Sequence, residues 1–219
     1  MSFDEQSVLR IDMVSDVVCP WCTIGYQRLQ KALSQFPDLK VELSFKPFEL
    51  NPAMPPEGQN VNEHIAEKYG LDVPTIEHNR LQLRAVAAEE GVTFTSDSES
   101  RIYNTFLAHK LLLRAEAMGT QTALKLALFR AYFEERRNIS DAETLVDIAE
   151  QNGFSREQAM AALEDEALSQ AVRIEENAYR SMGITAVPTF IFNQQYSVSG
   201  AQDAGVLGNV IQEITALLR

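Results

Sequence analysis

Cysteine is almost absent, with two in 219 residues, so a fold stapled by several disulfides is excluded. Histidine occurs three times, as His64, His78 and His109, scattered without the spacing of ligand pairs. A structural zinc needs four ligands and one cysteine pair supplies two, so no metal is expected. Basic charge is in deficit: 19 Lys and Arg against 31 Asp and Glu leave a net charge of -12. That argues against nucleic acid as a partner, because phosphate contacts need clustered Lys and Arg. No apolar run is long enough to span a bilayer, so no membrane association is expected. The stretch Met1–Ser7 has neither the basic nor the apolar region of an export signal, and a cytoplasmic protein is expected. A hydrophobic content of 45% is ordinary for a globular protein and sufficient for a core.

Both cysteines fall in Val17-Val18-Cys19-Pro20-Trp21-Cys22, where a strand runs into a helix. Upstream, Val8–Val14 is rich in aliphatic residues and reads as a strand buried on both faces. Downstream, Ile24, Leu29, Leu33 and Phe36 recur at helical spacing, and Pro37 closes the run. Pro20 sits where proline is best tolerated, in the first helical turn, whose N–H groups are unpaired anyway. Those N–H groups and the positive end of the helix dipole favour a thiolate at Cys19. Cys22, three residues on, points into the helix body and is placed to attack a mixed disulfide formed at Cys19. A purely structural disulfide is the weaker reading. The loop it closes is tiny, and cytosolic cysteines are normally kept reduced.

Val41–Phe45 alternates apolar and polar residues as a second strand, completing a βαβ unit. Four of the eight prolines then fall between Pro47 and Pro56 and mark an exit from the sheet. From about Asn60 to Met182 the pattern is helical. Gly70, Gly91, Gly119, Gly153 and Gly183 stand at helix ends. Ser140–Glu143 and Ser155–Gln158 fit capping boxes. Ile102, Phe106, His109 and Leu113 are expected to share one face of the longest helix. The sheet resumes at Val187–Phe192, turns at Asn193-Gln194-Gln195 and returns through Tyr196–Ser199. Asp203 can cap a last helix with an apolar stripe from Val206 to Leu218.

This order is βαβ, a helical block, then ββα, with a CxxC opening the first helix and a proline opening the third strand. It resembles the DsbA family: α/β, a thioredoxin fold with a mixed sheet and a large all-helical insertion. Ser15–Cys22, Asn104–His109, Ala127–Phe133, Gly183–Phe190 and Ser199–Gln202 are similar to the FrnE-like cytosolic branch. The implied division is 1–58 and 184–219 for the thioredoxin-like domain and 59–183 for the insertion. The resemblance implies that Cys19 is the nucleophile, Cys22 the resolving thiol and the Val187-Pro188 bond cis. Pro20, Trp21, Val187 and Pro188 would then contact substrate, with Asp16, Asn104 and His109 behind them. His109 on its own reads as a satisfied histidine on a helix face. Trp21 stands where the strongly oxidising periplasmic enzymes carry histidine. Met13 falls where many thioredoxin-like proteins bury an acid, with Asp12 and Asp16 nearby at positions read as open to solvent, so no proton acceptor for Cys22 is evident.

The expected activity is thiol–disulfide exchange, as oxidoreductase or isomerase, on disulfide-containing proteins or small thiols. Glutathione or thioredoxin would serve as the thiol reductant, and no bound cofactor is required. The alternatives are a glutathione-dependent isomerase or transferase of the same clan, of the 2-hydroxychromene-2-carboxylate isomerase or kappa-class type, and a redox-regulated chaperone. The first would keep turnover with glutathione and an electrophile after loss of Cys22. The second would suppress client aggregation on oxidation without turnover.

Overall fold

A computed structural model describes residues 8–217. The Met1–Ser7 stretch and Leu218 of the predicted last helix lie outside the described residues.

Strand β1 (Val8–Ser15) is central because its aliphatic side chains can be buried on both faces; Leu9, Ile11, Met13 and Val14 are all buried. It pairs in parallel with β2 (Lys40–Pro47), which is reached through helix α1 (Pro20–Leu33). A two-stranded sheet, β3 (Gln59–Asn60) and β4 (Arg101–Ile102), flanks helices α2 (Val61–Tyr69) and α3 (Val73–Glu89). Helices α4 (Phe106–Met118), α5 (Gln121–Phe133), α6 (Ala142–Glu150), α7 (Arg156–Glu164) and α8 (Glu166–Ser181) complete the helical block. The chain then re-enters the sheet as β5 (Thr189–Phe192) and β6 (Tyr196–Ser199) and ends in α9 (Ala204–Leu217). The main sheet has the order β2-β1-β5-β6, with β5 antiparallel to both neighbours. A mixed sheet with βαβ and ββα units around a helical insertion is the predicted fold.

Several local expectations move. The third strand begins at Thr189 rather than Val187, because Pro188 has no N–H to give to a ladder. Asp141, not Ser140, caps α6 by accepting from Thr144 N–H, while the Ser140 hydroxyl turns to the Pro56 carbonyl and the Asn138 side-chain oxygen. Ser155 and Gln158 do form a reciprocal capping box. Ile102 lies in β4 instead of sharing a helix with His109, and the longest helix is α3, of 17 residues.

Two apolar cores result. One joins Leu9, Ile11 and Met13 to Phe190, Phe192, Ile24, Leu29, Leu207 and Ile211, and also takes in Ala87, Phe94, Phe129 and Phe133 from the helical block. The other fills that block, with Leu111, Leu124, Leu128, Ile139, Leu145 and Ile148. Val17 and Val18 belong to the second core, whereas Cys19 and Cys22 belong to the first. The CxxC therefore sits at the seam, held from both sides.

Candidate active site

Cys19 is the N-cap residue of α1, Pro20 occupies the first turn, and no acid stands there to oppose a thiolate. Its Sγ lies 3.6 Å from the carbonyl oxygen of Val187 and is placed to donate to it. The Val187-Pro188 peptide is cis, and Pro188 is buried. Gly25 of α1 makes this approach possible: a Cβ there would stand 2.9 Å from Pro188 Cγ and 3.3 Å from the Phe190 ring. The chain thus brings together Cys19, Val187 and Pro188, residues 168 apart in sequence at their hydrogen bond.

Cys22 is fully buried behind Cys19. Burial pushes its thiol well above the ordinary range, and the neighbouring Cys19 sulfur adds to the effect. Trp21, by contrast, is 43% exposed. Pro20 and Trp21 border a cavity of about 920 Å³, as do Val18, Cys19 and Val187. Its other walls come from the helical block, with Ile65, Leu83, Val86, Phe94, Tyr103 and Tyr132 among them. Lys68, Arg80, Arg101 and Arg136 also line it, with Glu99 as the single acid. Arg136 is paired with Asp97 and Arg80 with Glu77, so among the described residues Lys68 and Arg101 are the lining cations without a carboxylate partner in a largely apolar chamber that opens on one sulfur.

Asp16 departs from the sequence reading, since it is wholly buried and not open to solvent. Its carboxylate accepts from the N–H groups of Val17 (2.8 Å) and Leu50 (2.8 Å) and from His109 Nε2 (3.2 Å). Burial alone would raise its pKa, but His109, the Leu50 N–H and the charge of Lys125 outweigh that and hold it below the ordinary 3.8. His109 is accordingly a satisfied buried histidine, and its partner is the residue three before Cys19. The Asp16 carbonyl accepts from Cys19 N–H at 3.3 Å, so this pair braces the backbone that presents the nucleophile. Asn104 stands apart. Its amide donates to the Met54 carbonyl and its oxygen accepts from Phe106 N–H, closing the turn into α4.

Sequence reasoning missed Lys125 on α5. It is fully buried, with Nζ 5.0 Å from the Phe129 ring centre and 5.6 Å from that of Phe45. Its neighbours in sequence carried the signal: a helix reading Leu124-Lys125-Leu126-Ala127-Leu128-Phe129 is apolar on every side and must be buried, its lysine included. Among the described residues no cluster of three or more His, Cys, Asp or Glu could hold a metal, and no helix is long and apolar enough to cross a membrane.

A mixed sheet with βαβ and ββα units, a helical insertion and a CxxC pair at the N-terminus of the first helix define a thioredoxin fold of the DsbA type. The model of the DSBA-like thioredoxin domain matches residues 10–212, and the chain belongs to that family. It is 34% identical to the probable DsbA oxidoreductase SCO1869 from Streptomyces coelicolor, whose crystal structure superposes with a TM-score of 0.88 over 94% of this chain and 89% of that one. The uncharacterised protein YwbO of Bacillus subtilis is 28% identical over 206 residues, 94% of this chain and 96% of its own. The cytosolic disulfide reductase DsbM from Pseudomonas aeruginosa, solved with GSH, is 20% identical, with a TM-score of 0.60 over 95% and 96% of the two chains; it shares the fold.

Proposed function

We propose that this protein is a thiol–disulfide oxidoreductase acting on disulfides that enter the cavity beside Cys19. The Cys19 thiolate attacks one sulfur of the substrate, the substrate S–S bond breaks, and the first thiolate leaves. Cys22 then attacks Cys19 of the mixed disulfide, releasing the second thiolate and leaving a Cys19–Cys22 disulfide. A thiol reductant such as glutathione or thioredoxin restores the pair. Run in reverse, the same steps oxidise a dithiol. The observation that carries this reading is the inequality of the two thiols: Cys19 faces the chamber at a helix N-terminus, and Cys22 is sealed behind it. Lys68 and Arg101 in the chamber wall suit small or peptidyl disulfides that carry carboxylates. Likeness to a cytosolic reductase crystallised with GSH supports glutathione as a partner and a cytoplasmic setting.

The test is an assay of the protein with glutathione, reporting reduction of glutathione disulfide and of insulin beside conjugation of glutathione to an electrophile. Disulfide reduction that needs both cysteines is expected. Turnover only with glutathione and an electrophile, surviving Cys22→Ser, contradicts the reading in favour of the isomerase or transferase class.

A further inference from the structure

The resolving step needs a base. Cys22 must lose its proton before it can attack, and burial makes that loss unfavourable at neutral pH. The nearest acid is already committed: the Asp16 carboxylate accepts three hydrogen bonds and is held below its ordinary pKa, which makes it a poor proton acceptor. Met13 offers no base at all.

Lys125 is the unused group. On the same face of α5 and one turn earlier, the Gln121 side chain is fully engaged, accepting from Phe45 N–H and donating to the carbonyls of Phe45 and Leu112. Lys125 has no such employment. Its side chain is fully buried and its Nζ has no hydrogen-bond partner among the described residues. The rings of Phe45 and Phe129 that flank it belong to the core cluster that holds Cys19 and Cys22. Burial without a hydrogen-bond acceptor shifts the balance from the ammonium toward the neutral amine, although the charge of Asp16 opposes the shift. The titratable groups whose charge acts on it are Cys22 of α1, its N-cap Cys19 and Asp16 just before, with His109 of α4 joined to them through Asp16.

We propose that the ε-amine of Lys125 is the proton acceptor for Cys22 when this thiol resolves the mixed disulfide. The step balances: the Cys22 S–H bond breaks and its proton passes to the neutral amine, giving an ammonium. The Cys22 sulfur forms a bond to Cys19 as the bond from Cys19 to the substrate sulfur breaks. The electron pair leaves on the substrate thiolate, and the ammonium returns its proton to the Cys22 sulfur as that sulfur leaves when the pair is next reduced. Burial lowers the Lys125 pKa to about 8 against the pull of Cys22, Asp16 and Cys19, so the ammonium that faces Asp16 at neutral pH is in equilibrium with a minority of neutral amine, which becomes the main form above about 8. The ammonium, once formed, also balances the charge of the buried cluster.

This inference rests on the exchange reading above, and its test separates the two. One equivalent of dithiobis(nitrobenzoate) is mixed rapidly with the reduced protein, and the coloured thiolate is followed in time. The first release reports attack by Cys19, and the second reports resolution by Cys22. In the wild type the second phase should slow as pH falls through a midpoint near or below about 8, as the amine protonates. Lys125→Met should slow the second phase roughly 10²-fold or more and leave the first unchanged. Lys125→Arg keeps the charge but cannot accept a proton, so it should slow the second phase equally. An unchanged second phase in both variants, or a wild-type second phase with no such pH dependence, overturns the inference. The wild-type profile decides alone if neither variant folds. Absence of the first phase in the wild type removes the exchange reading itself.

Discussion

Cys19→Ser is expected to lower disulfide turnover to the uncatalysed background while leaving the fold intact. A serine hydroxyl does not ionise near neutral pH and is no substitute for a thiolate in disulfide exchange. Cys22 cannot take over, because it is fully buried and its thiol is pushed up by burial and by its neighbour. Stability should change little. Position 19 is 4% exposed, serine is slightly smaller than cysteine, and its hydroxyl can donate to the Val187 carbonyl as the thiol does. Turnover of a small disulfide and the denaturation midpoint, measured together, check this. Retained turnover contradicts the assignment of Cys19, and lost turnover with an unfolded protein calls for Cys19→Ala instead.

Asp16→Ala should have the largest effect on stability of any single change at the site. Removing this carboxylate leaves the N–H groups of Val17 and Leu50 and the ring of the 2%-exposed His109 without their acceptor. It also deprives Lys125 of an opposite charge. Breaking a buried, hydrogen-bonded charge pair from one side costs about 3–5 kcal/mol. The dependence on pH has a definite sign. The folded carboxyl titrates below its ordinary 3.8, so its contribution is complete above that value and is lost as pH falls through the folded pKa. Denaturant unfolding at neutral pH and again below pH 3.8 should show the wild-type advantage over Asp16→Ala shrinking in acid. A loss under about 1 kcal/mol at neutral pH, within the range of an ordinary surface change, contradicts the role assigned to Asp16.

The contrast between Cys22 and Asp16 shows what the sequence could reveal. Local rules reached the cysteine pair. Proline in the first turn, an apolar stripe after it and an aliphatic strand before it place Cys19 at a helix N-terminus and Cys22 inside, whatever else the chain does. The β5–β6 hairpin and the Ser155 box are equally local. Asp16 was not legible because nothing on β1 says what covers its end. The cover is α4 and the Leu50 segment, which are supplied by chain 34 and 93 residues away. Lys125 was hidden for a related reason: a helix apolar all round gives no face, so periodicity cannot say which group it buries against. Strands β3 and β4, of two residues each, carry no alternation to read. The cavity has no sequence signature, since its walls meet only when the helical block folds over α1.

The account stands most directly on the order of attack, and intact-mass measurement of two variants after brief exposure to glutathione disulfide tests it. Cys22→Ser should gain one glutathione, removed by a thiol reductant, because Cys19 attacks and nothing resolves the product. Cys19→Ser should stay at its own mass, because the remaining thiol is buried. An adduct on Cys19→Ser, with none on Cys22→Ser, would reverse the roles of the two cysteines and contradict the account.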